Sequence, residues 1–142
     1  MCIRDRVKLV QSLDEDPESA GGAEKQLYDY VEGRLRAFNE PENRKWIRFS
    51  IEFWSTVQHD KFYKEMSARR YALYEAQIGK FIEDGIRTEA FRKDIEVERA
   101  AFVVISMIDG IAFLTAVMGQ PLTDGRIQQT ATMVVESFKK RG

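Results

Sequence analysis

Two sets of side chains in the middle of this chain could bind a small molecule, and they favour ligands of opposite charge. Arg69 and Arg70 stand together in a long helical pattern, where an inward guanidinium could hold a carboxylate through a bidentate contact. Trp54, Tyr71 and Tyr74 are close to them in the sequence, and aromatic faces of this kind attract cations. Both sets also have ordinary structural roles, since arginines commonly extend to solvent and aromatic residues commonly pack in cores. The sequence leaves the polarity of a ligand open.

Asp109 is the one acid in a nearly unbroken apolar run from residue 100 to residue 119. A carboxylate in a buried helix needs a hydrogen bond or a charged partner. Two interpretations follow: Asp109 faces a pocket as a polar contact, or it pairs with an arginine or a backbone group for structural reasons. The structural interpretation is favoured, with Gly110 permitting a close helix approach, and it predicts that Asp109→Ala destabilises the protein.

Other residue types that carry chemistry are sparse. His59 is the single histidine and Cys2 the single cysteine, so the sequence predicts no metal site and no disulfide. The neighbourhood of His59 lacks a Ser or Cys nucleophile arranged with a base, and no glycine-rich phosphate loop occurs in the sequence. We therefore predict a protein without a cofactor that is not an enzyme. The net charge of -1 also argues against a basic nucleic-acid-binding surface over the whole chain.

The apolar run is long enough to cross a bilayer, but its composition argues against a membrane. A central Asp costs about 2.5–3.5 kcal/mol on insertion, and the flanking charges are mixed rather than basic on one side. A helix that is apolar all round is then buried by its own domain or by a partner subunit.

The spacing of apolar residues predicts an all-α protein. Pro17, Pro41 and Pro121 all fall at breaks between periodic segments, as expected where helix interiors exclude proline. Asp60 is predicted to cap the third helix, and Thr123 or Asp124 the last. The predicted helices span about 23–39, 42–58, 61–86, 97–118 and 124–139. The second is expected to be central, with aromatic residues touched on more than one side.

The last two helices carry more apolar surface than a five-helix monomer can easily bury. An exposed patch of that size indicates a partner, and a symmetric dimer covers it with one repeated contact. The predicted fold is therefore a bundle of five to six helices whose last two helices form a four-helix-bundle homodimer interface. The residues assigned to this interface are Val104, Ile108, Ile111, Thr115, Met118, Ile127, Thr130, Ala131, Val134 and Phe138.

The run FIEDGIRTEAFRKDIEVERAAFVVISMIDGIAFLTAVMG, residues 81–119, resembles the C-terminal domain of TetR/AcrR-family transcriptional regulators. The matching features are Gly85-Ile86, Phe91-Arg92 and Asp109-Gly110-Ile111. Upstream, RFSIEFWSTVQHDKFYKEM at 48–66 resembles the family's helix with a Leu/Phe-x-Phe/Trp pattern, which a short turn and a long aromatic-bearing helix follow. Glu89 departs from the pattern, because the family usually has a glycine there.

The resemblance implies a division of the chain. Residues 1–6 look like a non-native extension, 7–22 the end of a connecting helix and a loop, and 23–142 an effector-binding and dimerisation domain. Operator DNA would be bound only by an N-terminal domain that this sequence lacks. The resemblance places an effector pocket among the middle helices, so their inward residues are the candidates for its wall. They are Trp46, Phe49, Phe53, Trp54, Met66, Arg70, Tyr71, Tyr74, Phe102, Ile105, Asp109 and Phe113.

We thus expect a cytoplasmic homodimer that binds an apolar or aromatic small molecule and regulates transcription, as a repressor released from DNA by that ligand. One alternative is a helical interaction module without a ligand, which predicts a filled interior. The other is a carboxylate-metal helical-bundle enzyme, against which the missing histidines count.

Overall fold

The computed structural model describes residues 22–140, which form five α-helices joined by short connections. They are α1 (Gly22–Ala37), α2 (Pro41–Val57), α3 (Lys61–Arg87), α4 (Val97–Ala116) and α5 (Asp124–Phe138). The described residues contain no named strand, only an isolated antiparallel bridge between Phe91 and Lys139. The all-α prediction is confirmed, with every predicted helix boundary within two residues of the structure. The predicted extension at 1–6 and helix end at 7–13 lie outside the described residues.

Local chemistry sets where the helices begin. The Asp60 side chain accepts hydrogen bonds from the backbone N–H groups of Phe62 (2.9 Å) and Tyr63 (3.3 Å) at the start of α3. Thr123 caps α5 by accepting from the N–H of Arg126 at 3.2 Å, which decides between the two predicted caps. Pro41 occupies the first turn of α2, where its missing N–H costs nothing.

The core lies between α1, α3, α4 and α5. Helix α1 is at its centre, packed most extensively against α5 and also against α3 and α4. Fully buried side chains on these helices hold them together through apolar burial. They include Leu27, Val31, Leu35, Ile78, Phe81, Ile82 and Ile127.

Helix α2 does not have the central position that the sequence predicts. It has no buried residue, and its main contact is with α4. Its aromatic rings instead contact one another in a row: Trp46 meets Phe49 edge to face with ring centroids 5.7 Å apart, and Phe49 stacks on Phe53 at 6.1 Å. The next ring in this row is Tyr63 of α3, 5.0 Å from Phe53. The spacing of these aromatic residues is also that of a helix buried on two sides, which is why the sequence predicts a central position for α2.

The connection between α3 and α4 is held tightly to the end of α5. Glu89 has a φ of 64°, the left-handed conformation that favours glycine, which explains the glycine of the family pattern. The Phe91 ring is fully buried against Gly85, where an added Cβ would lie 1.9 Å from the ring. Phe91 also packs on Phe138, and the Arg92 N–H donates to the Phe138 carbonyl at 2.9 Å.

Candidate ligand-binding cavity

A cavity of about 450 Å³ lies between α1, α2, α3 and α4. Its volume is within the range typical of small-molecule sites. Apolar side chains supply much of its wall, with Trp46, Ile47 and Ile51 from α2 and Ala112 and Phe113 from α4. The cavity therefore has room for an apolar body, with a few polar groups positioned to orient it.

Helix α1 forms a wall that the sequence analysis missed. Asp29, Tyr30, Gly33, Arg34 and Ala37 all line the cavity. The most regular apolar spacing of α1 is that of its buried stripe, which includes Leu27, Val31 and Leu35, and the cavity wall is the adjacent face. The signal was present, since positions 30, 33, 34 and 37 have helical spacing, and the small residues among them leave room for a ligand.

The structure brings five of the twelve predicted ligand-binding residues to the cavity: Trp46, Arg70, Tyr74, Asp109 and Phe113. The others lie elsewhere because aromatic spacing does not reveal which side of a helix faces a cavity. Phe49 and Phe53 belong to the aromatic row, Ile105 is in the core, and the remaining four do not line the cavity. These four are Trp54, Met66, Tyr71 and Phe102.

Two arginines contact the phenol of Tyr74 from different helices. The Arg34 guanidinium carbon on α1 lies 4.7 Å from the centre of the Tyr74 ring, and Arg70 Nε on α3 lies 3.4 Å from the Tyr74 hydroxyl oxygen. Burial raises the pKa of Tyr74, but hydrogen bonds and charges from Arg70 and Arg34 outweigh burial and bring this pKa below its ordinary value. Arg69, next to Arg70 in the sequence, does not line the cavity.

Asp109 faces the cavity from α4 and remains accessible to solvent there. Desolvation by its surroundings raises the pKa of this carboxyl group, while the charge of Arg34 opposes the rise. Within residues 22–140, Asp109 forms no hydrogen bond or ion pair, so the structural pairing favoured from the sequence is not found. Gly110 has no neighbour within 4 Å of an added Cβ, so the expected close approach is also absent inside the protomer.

Most residues assigned to the dimer interface are already used by the protomer's own core. Seven of the ten are buried within the protomer; they are Val104, Ile108, Thr115, Ile127, Ala131, Val134 and Phe138. Ile111 and Thr130 are half-buried, and Met118 is exposed. The most regular apolar stripe of each helix faces inward, and a second stripe of α4 is exposed.

This exposed face of α4 consists of Val103, Met107 and Leu114; Met118, just beyond the end of α4, and Met133 on α5 are exposed as well. On α4 the spacing is that of one helix side, with Gly110 at its middle. An unpartnered apolar surface of this kind on a folded protein indicates a contact with another macromolecule.

Within the described range, no cluster of three or more His, Cys, Asp or Glu side chains could hold a metal ion. Helix α4 is long and apolar enough to cross a membrane by length and composition, a property that core helices share.

Together these elements define an all-α bundle with a cavity between four of its helices. Residues 23–139 match the family described as BetI-type transcriptional repressor, C-terminal, and the chain belongs to this TetR family. The resemblance seen in the sequence is confirmed: this is a regulator domain, which points away from an enzyme. No curated protein and no solved structure gave a significant match.

Proposed function

We propose that this chain is the effector-binding and dimerisation part of a cytoplasmic TetR-type repressor that a small molecule releases from operator DNA. The observation that carries the proposal is the cavity of about 450 Å³ among α1, α2, α3 and α4. An interaction module without a ligand predicts a filled interior instead. The cavity therefore favours effector binding over that alternative.

Helix α4 links the proposed ligand to the proposed partner. Asp109 and Phe113 lie on its cavity side, and Met107 and Leu114 lie on its exposed apolar side. A ligand that shifts α4 changes the surface that the second subunit contacts. Effector binding and operator binding would then be coupled reciprocally through two arrangements of the dimer.

Ligand binding is tested by filling the cavity from α1. Gly33 lines the cavity, and an added Cβ there meets nothing within 4 Å, so Gly33→Leu places its side chain in open space. In the complete regulator, a compound that releases operator DNA from the wild type should fail to release it from Gly33→Leu. Gly33→Ala is the matched control and should keep the response. Equal responses in all three proteins would contradict effector binding in this cavity.

Dimerisation is tested on the exposed face of α4. Leu114→Glu introduces a charge into this face and should convert a dimer into a monomer in sedimentation experiments. Leu73→Glu is the control, because Leu73 is similarly apolar and 68% exposed but lies on α3, away from this face. A wild-type monomer, or a dimer that Leu114→Glu leaves intact, would refute the proposed interface.

A further inference from the structure

We infer that the cavity takes an organic carboxylate with an apolar body, its carboxylate held by Arg34 and Arg70 beside Tyr74. The inference rests on the proposed effector-binding function and settles the ligand polarity that the sequence leaves open. Three observations support it: two arginines at one phenol, the charges around the cavity, and the apolar wall opposite them.

The two arginines converge although they come from separate helices. Arg34 lies over the Tyr74 ring and Arg70 lies at its hydroxyl, so both positive charges border the same part of the cavity. Neither forms an ion pair within residues 22–140. Arg34 Nε is shielded from solvent and has no hydrogen-bond acceptor in that range. A carboxylate is the group that would satisfy such a donor and relieve the repulsion between two guanidinium groups.

The remaining charges of the cavity leave a net positive site. Asp29 is already paired with Lys25, whose Nζ lies 3.0 Å from Asp29 Oδ2. Arg34, Arg70 and Asp109 are then the charged groups left to face a ligand. An anion would balance this set, whereas a cation would increase its positive charge.

A cationic ligand has less support from the aromatic residues than the sequence suggested. Trp54 and Tyr71 do not line the cavity, and the face of Tyr74 is already occupied by Arg34. Asp109 is the acid left to bind a cation, and the positive charge of Arg34 already interacts with the Asp109 carboxylate. The other aromatic residues of the cavity wall are Tyr30, Phe38, Trp46 and Phe113, and they fit an apolar body equally well.

The test compares three probes that differ only in their head group: 4-phenylbutyrate, 4-phenylbutylammonium and 4-phenyl-1-butanol. The chain has two tryptophans, so Trp54→Phe leaves Trp46 of the cavity wall as the single tryptophan, which can be excited selectively. Quenching of Trp46 locates the probe, and calorimetry measures Kd. We expect 4-phenylbutyrate to bind at least about tenfold more tightly than the other two probes, because only its carboxylate can accept charge-assisted hydrogen bonds from the arginines.

Substitutions then assign the contacts. Arg34→Gln and Arg70→Gln should each weaken 4-phenylbutyrate binding about tenfold or more. Arg69→Gln is the matched control beside Arg70 and should leave Kd unchanged. Asp109→Asn should tighten binding of the anion, because it removes a nearby negative charge. Arg70 is exposed, so Arg70→Gln keeps the test valid if Arg34→Gln unfolds in circular dichroism.

Results that contradict the carboxylate inference can be distinguished from results that contradict the proposed effector function. Tightest binding of 4-phenylbutylammonium, lost in Asp109→Asn, would overturn the carboxylate inference and leave the proposed effector function standing. Equal Kd values for the three probes that do not change in Arg70→Gln would also overturn the carboxylate inference and leave the proposed effector function standing. Binding of none of the probes would contradict the effector function together with this inference.

Discussion

Gly85→Ala offers a sharp test of the packing at the end of α3. In the native structure an added Cβ at Gly85 would lie 1.9 Å from Phe91 Cδ2 and 2.3 Å from Cε2. Carbon atoms pack at about 3.5–4.0 Å, so the ring must move by roughly 2 Å. Phe91 is fully buried and packs on Phe138, with ring centroids 5.9 Å apart, so there is no free space to move into.

The loss in the free energy of unfolding caused by Gly85→Ala has a lower and an upper bound. Overpacking costs about 1–3 kcal/mol, and complete loss of a buried Phe costs about 3–5 kcal/mol. Replacing a helical glycine by alanine returns up to about 1 kcal/mol. We therefore expect Gly85→Ala to lower the free energy of unfolding by about 2–3 kcal/mol.

Urea denaturation followed by far-ultraviolet circular dichroism measures this change. Gly79→Ala in the same helix is the matched control, since its Cβ would meet only Val97 Cγ1 at 3.4 Å, and it should be neutral or stabilise by up to about 1 kcal/mol. In a Phe91→Ala background, Gly85→Ala should no longer destabilise. An undiminished cost in that background, or equal effects of the two glycine substitutions, would refute the collision with Phe91 as the cause.

Three further predictions concern single residues. Glu89→Gly should raise the free energy of unfolding by about 0.5–1 kcal/mol by relieving the left-handed φ of 64°, as urea titration would show; an equal gain from Glu89→Ala, which keeps the Cβ, would rule out backbone strain. Asp60→Ala should cost about 1 kcal/mol through loss of the α3 cap, whereas Asp60→Asn should retain most of the stability; equal losses would show that the cap does not matter. Desolvation raises the folded-state pKa of Asp109 above the ordinary 3.8, so this residue reduces stability as pH rises from 3.8 through the folded pKa. Asp109→Asn should therefore raise the melting temperature at pH 7 and lose this advantage below pH 3.8; lower stability of Asp109→Asn at pH 7 would favour a structural pairing.

The helices could be predicted because their signals are local. Prolines at the breaks, the Asp60 cap and the 3.6-residue spacing of apolar side chains each act within a few residues of sequence. They placed every described helix boundary within two residues. The left-handed turn at Glu89 was not predicted, although the family pattern has a glycine at this position and glycine favours that conformation.

The cavity and the exposed face were harder to predict because periodicity does not say what a helix packs against. Val104 and Ile108 have the spacing of a contact surface whether the contact is their own core or a second subunit. The aromatic spacing of α2 likewise indicated burial, although Trp46 and Phe49 are more than half exposed. Arg34 shares the helical spacing of the α1 wall, but its contact with Tyr74 depends on how α3 packs against α1, which periodicity does not reveal.

The loose attachment of α2 has a consequence for how fast a ligand could enter. This helix buries none of its residues, yet Trp46, Ile47 and Ile51 form one wall of the cavity. Displacing α2 opens the cavity while the core of α1, α3, α4 and α5 stays packed, so the free energy of this local opening is far below that of global unfolding. We expect the amide hydrogens of α2 to exchange with solvent much faster than those of α1, and the frequency of this opening to set the association rate. A bound ligand that bridges α2 and α3 would slow both α2 exchange and its own escape, so residence time would depend on a helix that contributes little to overall stability.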